Sequence, residues 1–139
     1  MDKTLLHTDI ISEVLKGVNA AVVARAVAYH SRYGHYTTSV ITVLEIVKGL
    51  QKVQRENKIQ GFLSIFPPVE LLSLDLQSAE IAGRILGLLE RAGQPIGRAD
   101  PTIAAIALRH DLTLATGNTI HYQWIRSLGF SLKLDDWRA

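Results

Sequence analysis

The chain has 139 residues, 47% of them apolar, with a formal net charge of +2 and a pI near 9.0. That suits a single domain over residues 1–139 with a sizeable core, excludes disorder, and permits nucleic-acid binding without demanding it. The absence of cysteine removes disulfides, thiolate nucleophiles and thiolate metal sites. No basic segment followed by an apolar run opens the chain, and no apolar stretch reaches the roughly 20 residues a bilayer crossing needs. A cytoplasmic protein without membrane contact is expected, and the high apolar content suggests a homodimer.

Residues 5–8 read as a first strand, followed by a short helix carrying Ile11, Val14 and Leu15 at helical spacing. Residues 20–33 form a second helix with Val22, Val23, Ala26, Val27 and Tyr29 on one apolar face, ended by Gly34. A second strand, 35–40, leads through Ser39 as N-cap into a helix over 41–53, with Ile41, Leu44, Val47 and Leu50 on one face. A more polar helix over 55–66 stops at Pro67-Pro68. Strand three is 69–74. The amphipathic helix over 75–93 starts at Asp75 or Ser78 and ends at Gly93. After a loop, Asp100 caps a helix whose first residue is Pro101. Strand four is 112–116, a short helix runs over 117–129, and 130–134 is the fifth strand.

Strands alternating with helices predict an α/β fold with a parallel sheet flanked by helices on both faces. Ligands in such folds sit beyond the carboxyl ends of the strands, so the polar residues there carry the information. These are His7, Thr8 and Asp9 after strand one, Glu45 on the helix after strand two, and Thr116 and Asn118 after strand four, with Asp100 opening the helix before strand four. Each has a plain structural reading. Asp9, Asp100 and Asn118 can cap helices. Glu45 can pair with Lys48 one turn on, which stabilises by a few tenths of a kcal/mol. His110 suits a helix C-terminus, His121 reads as a surface histidine, and His30 and His35 flank a turn. Together, however, acids at neighbouring strand exits repel one another unless a cation lies between them, and hard oxygen ligands select magnesium or manganese. Such a site polarises a phosphate and activates water. Neither a glycine-rich phosphate loop nor a serine-nucleophile elbow is present.

Four stretches, "LLHTDIISEVLKG", "TSVITVLEIVKGL", "GRADPTIAAIALRHDLTLATGN" and "HYQWIRSLGFSLKLDDWR", resemble the PIN-domain ribonucleases, and most closely the VapC-type toxins of toxin–antitoxin pairs. The resemblance implies a PIN-like three-layer fold with four to five parallel strands, magnesium-dependent RNA cleavage (manganese being an alternative), a small VapB-like antitoxin as partner, and an acidic site. Carried over, Glu45 matches the family's helix glutamate, Asp100 its central metal-binding aspartate, and Thr116 and Asn118 its Thr-x-Asn. The first strand departs from the pattern. Where the family usually reads Leu-Asp-Thr-Asn or Leu-Asp-Thr-Asp, this chain reads Leu6-His7-Thr8-Asp9, so histidine stands in the place of the first catalytic aspartate and Asp9 in the Asn/Asp place. Asp100, Glu45, Asp9 and His7 are then the candidate metal ligands. On an extended strand Asp9 faces the same side as His7 but roughly 6–7 Å further along. Neutral imidazole is a poor magnesium ligand, so an attenuated enzyme is expected, or a PIN-fold protein that binds antitoxin or RNA and cuts nothing. Arg98, Lys48 and Lys52 are the candidate RNA-backbone contacts, while Arg55 and Lys58 read as a solvated face. An unrelated flavodoxin-like ligand binder fits less well, given the acids and the missing phosphate loop.

Overall fold

A computed structural model describes residues 1–64 and 68–139. In chain order the elements are β1 (Thr4–Leu6), α1 (Thr8–Lys16), α2 (Ala20–Tyr33), β2 (Thr37–Ser39), α3 (Val40–Lys52), α4 (Glu56–Leu63), β3 (Glu70–Leu72), α5 (Leu76–Arg91), α6 (Ala99–Arg109), β4 (Thr113–Ala115), α7 (Thr119–Ser127) and β5 (Lys133–Asp135). The expected end of the fourth helix at Phe66 and Pro67 lies outside the described residues.

All strand pairings are parallel. β4 lies between β1 and β5, and β2 pairs with β3. The two ladders meet where the Thr38 hydroxyl donates to the Leu6 carbonyl at 2.8 Å. Because successive strand residues face opposite sides, the sheet divides the core. Leu5 and its partner Leu114 face a core built with Ile85 and Leu89 of α5 and Ile103–Ala107 of α6. Leu6 and its partner Ala115 face another, formed with Ile10, Ile11, Val22, Ala26, Tyr29 and Trp137. The alanines of α6 hold no bulk between that helix and its neighbours, so Ile103, Ala104, Ala105, Ile106 and Ala107 are all fully buried.

Local chemistry sets the helix starts. The Ser39 hydroxyl accepts from the Thr42 amide at 3.2 Å and the Asp75 carboxylate from the Ser78 amide at 2.8 Å, which decides between Asp75 and Ser78 for α5. Gly34 closes α2 at φ 79°, in the left-handed region. Two sequence-derived apolar faces need correcting. Val27 and Leu44 are 60% and 58% exposed, because no described residue covers their parts of the α2 and α3 stripes. The first strand ends two residues sooner than expected, and the fifth lies three residues later at its start.

Candidate active site

The carboxyl ends of β1 and β4 lie side by side, and α1, α6 and α7 start beside them. His7 follows β1 at the N-cap position of α1, with extended backbone (φ −69°, ψ 161°), and its side chain caps nothing. The ring turns inward and is 6% exposed. Its Nδ1 lies 2.8 Å from Asp9 Oδ1 and its Nε2 3.0 Å from Asp100 Oδ1. The His7 and Tyr122 rings make a T-shaped pair, centroids 5.5 Å apart and planes at 80°. A neutral imidazole carries one N–H, whereas both nitrogens here face carboxylate oxygens, so both donate and the ring is an imidazolium. Burial pushes its pKa down, but the hydrogen bonds to Asp100 and Asp9 push it up further, to about 9. The carboxylates respond in the opposite sense. Burial raises Asp100, yet His7 and His121 hold it down at about 2; Asp9 is also lowered, His7 outweighing its burial.

Asp100 is not the N-cap the sequence suggested. α6 starts at Ala99, with Arg98 at the cap position, so Asp100 stands in the first turn. Its Oδ2 accepts from Asn118 Nδ2 at 3.0 Å and from His121 Nδ1 at 2.9 Å. Asn118 precedes α7 but its side chain caps nothing, being committed to Asp100. Asp9 is likewise in the first turn of α1. Because β1 has already ended, the same-face strand argument for Asp9 fails; the turn itself folds its carboxylate onto His7. Asp9 Oδ2 accepts from the Gly117 amide at 2.8 Å. The Thr116 hydroxyl is fully buried, 3.2 Å from His7 Nδ1, and accepts from the Asn118 amide at 3.0 Å. Glu45 sits one step away. It pairs not with Lys48 but with the Thr8 hydroxyl, which donates to Oε1 at 2.5 Å.

The structure therefore brings His7, Asp9, Asp100, Thr116 and Asn118 into one network, with Glu45 at its border. It does not bring in the candidate cations. Arg98 lines a groove of about 320 Å³ with Leu89, Pro95 and Ile96, and Lys48 and Lys52 are exposed on α3. Two participants escaped the sequence reading. His121, taken as a surface histidine, is a ligand of Asp100; its spacing of three from Asn118 on one helix face was the available signal. Tyr122 is fully buried, and its hydroxyl faces Asp100 outside hydrogen-bond geometry, burial and that carboxylate pushing its pKa well up. His30 and His35 stay away from the site, against Tyr36 and Glu70 respectively.

The donor set does not fit a magnesium ion as folded. Both carboxylates that would bind it are bridged by a ring whose nitrogens are spent as donors, and among the described residues no three His, Asp or Glu side chains are disposed around a common metal position. The imidazolium supplies, inside the chain, the positive charge that acids so placed require.

The fold is a parallel α/β sheet with acids gathered at its strand ends, and the chain belongs to the PIN domain family, whose model matches residues 4–124. Over 141 residues it is 29% identical to a tRNA(fMet)-specific endonuclease VapC of Shigella flexneri, covering 99% of both chains. A tRNA(fMet)-specific endonuclease VapC of Salmonella typhimurium is 30% identical over 103 residues, 71% of this chain and 73% of the relative. Among solved structures, VapBC-1 from nontypeable Haemophilus influenzae superimposes with a TM-score of 0.79 at 27% identity, covering 98% of each chain. Among the described residues no helix is long and apolar enough to cross a membrane.

Proposed function

We propose that this chain is the RNA-cleaving toxin of a VapBC-type pair, acting in the cytoplasm, and that His7 attenuates its cleavage. One observation carries the attenuation: the His7 ring bridges Asp9 and Asp100 at 2.8 and 3.0 Å, where the resemblance calls for a third carboxylate and a metal. Magnesium or manganese is the cofactor the family implies; His7→Asp would give Asp9, Asp100 and the new side chain a shared oxygen set to hold it. The two VapC relatives are tRNA(fMet)-specific, which makes initiator tRNA the first RNA to assay. The same observation favours a second reading, a PIN-fold protein that keeps antitoxin or RNA binding and has lost cleavage.

The partner reading draws on the neighbour solved as a VapBC assembly and on a groove of about 430 Å³ between α1, α3 and α4, lined by Leu15, Ile46, Leu50 and Phe62, which suits an apolar antitoxin segment. A homodimer remains part of the proposal, tested by light scattering. The deciding experiment is cleavage of initiator tRNA by the chain and by His7→Asp, each with magnesium and with manganese. A gain of at least about tenfold in the variant, lost again when Asp100→Asn is added, is the expected result. Equal cleavage by both proteins refutes attenuation by His7, and cleavage by neither favours the binding-protein reading.

A further inference from the structure

The site presents carboxylates, and a polyanion approaching them needs a cation at the mouth. His7 cannot serve, because it is buried and both of its nitrogens are engaged. The C-terminal tail supplies another. Thr116, at the end of β4, donates its amide to the Asp135 carbonyl of β5 at 2.9 Å. Two residues later Trp137 is 1% exposed, packed against Tyr29 with ring centroids 5.7 Å apart. The buried indole fixes where the next residue emerges. The Arg138 guanidinium lies directly on Gly117, in the space a Cβ there would fill. Gly117 does not have the positive φ that requires glycine. Its lack of a side chain is needed for close approach alone. The Gly117 amide is the group that holds Asp9 Oδ2 at 2.8 Å. Arg138 is therefore a permanent cation one residue from the acid network.

Its own partner is weak. Nε reaches Asp136 Oδ1 at 3.3 Å, between side chains 39% and 28% exposed, a geometry that contributes little. The two terminal nitrogens have no partner among the described residues. A planar fork with free N–H groups suits a phosphate bidentately.

We propose that Arg138 is a substrate-binding residue that grips an RNA backbone phosphate at the mouth of the site, and that residue 117 is glycine to let it lie there. The proposal rests on the reading of RNA as substrate. The test is fluorescence anisotropy of a short fluorescein-labelled single-stranded oligoribonucleotide, in EDTA so that no cleavage intervenes, across a salt series. The proteins are the unaltered chain, Arg138→Ala, Arg138→Lys, Gly117→Ala and the Gly117→Ala/Arg138→Ala pair, with Arg84→Ala as a charge control, since Arg84 pairs with Glu80 on an exposed face of α5. Arg138→Ala is expected to weaken binding about five- to tenfold at low salt and to flatten the plot of log affinity against log salt by about 0.7, one phosphate's share for a single strand. Arg138→Lys should keep the slope and recover part of the affinity. Gly117→Ala should match Arg138→Ala, and the pair should lose no more than either alone. An unchanged slope in Arg138→Ala, or an equal loss in Arg84→Ala, overturns the proposal while RNA binding itself stands. No binding by the unaltered chain overturns the RNA reading and this proposal together.

Discussion

Both ends of the parallel sheet carry a carboxylate held by a cation and a histidine, and the two behave differently. At the amino ends of the strands, Glu70 accepts from Lys3 at 2.8 Å and from the Thr37 hydroxyl at 2.9 Å, with His35 at 3.6 Å. At the carboxyl ends, Asp100 meets His7 at 3.0 Å and His121 at 2.9 Å. The distances are alike; the solvent is not. Lys3 and Glu70 side chains are 40% and 33% exposed, those of His7 and Asp100 only 8% and 13%. The bond to Glu70 raises Lys3, and Lys3 and Thr37 outweigh partial burial to lower Glu70, yet water screens this pair and it contributes little. Desolvation makes the second pair obligatory, because either charge left alone would have no solvent to fall back on. A functional site and a surface ion pair can share a residue inventory, and burial decides which is which.

The comparison breaks most visibly at His7. His7→Ala leaves Asp9 and Asp100 facing each other without their cation, and denaturant unfolding at pH 6 should show a loss of about 3–5 kcal/mol. A loss under about 1 kcal/mol would mean that solvent reaches the acids and that the two ends are equivalent after all.

Next in size is the pH dependence. The folded pKa of His7, about 9, lies above its usual 6.5, so its contribution is complete below pH 6.5 and is lost as pH rises through 9. For Asp100, held at about 2 against 3.8, the contribution is complete above pH 3.8 and is lost as pH falls through 2. The two describe one ion pair from its two sides, so the energies are not summed. Thermal melts should show greatest stability between about pH 4 and 6.5 and a decline of about 3 kcal/mol from there to pH 9, and the alkaline decline should vanish in His7→Gln. An alkaline decline that persists in His7→Gln places its source elsewhere.

The smallest expected effect sharpens the other side. Lys3→Ala should cost at most about 1 kcal/mol and shrink further in high salt. A larger, salt-insensitive loss would show that the amino end is as desolvated as the site.

Much of the fold was legible because its causes are local. Ser39 and Asp75 cap α3 and α5 through bonds to amides three residues on, and Gly34 ends α2 by a backbone conformation that glycine adopts freely. The alternation of apolar strands with helices gave the parallel α/β order for the same reason. Which parts of a helical stripe are covered was not legible: Val27 and Leu44 keep the period of their helices and face solvent, since periodicity defines a face and only the neighbours bury it.

The site divides along the same line. The amino-acid sequence by itself determined that acids, a threonine and an asparagine stand at the strand exits, and that a histidine occupies the first position among them. Tertiary structure decided what they do. Asp100 could have capped its own helix; its carboxylate instead crosses 93 positions of sequence to meet His7, and His121, still partly exposed, turns to join it. Arg138 reaches Gly117 only because Trp137 is buried beneath it. A local cap is written in a few consecutive residues, whereas a buried charge takes its partner from whichever groups the packed core places within hydrogen-bond reach, and that choice exists only once the chain has folded.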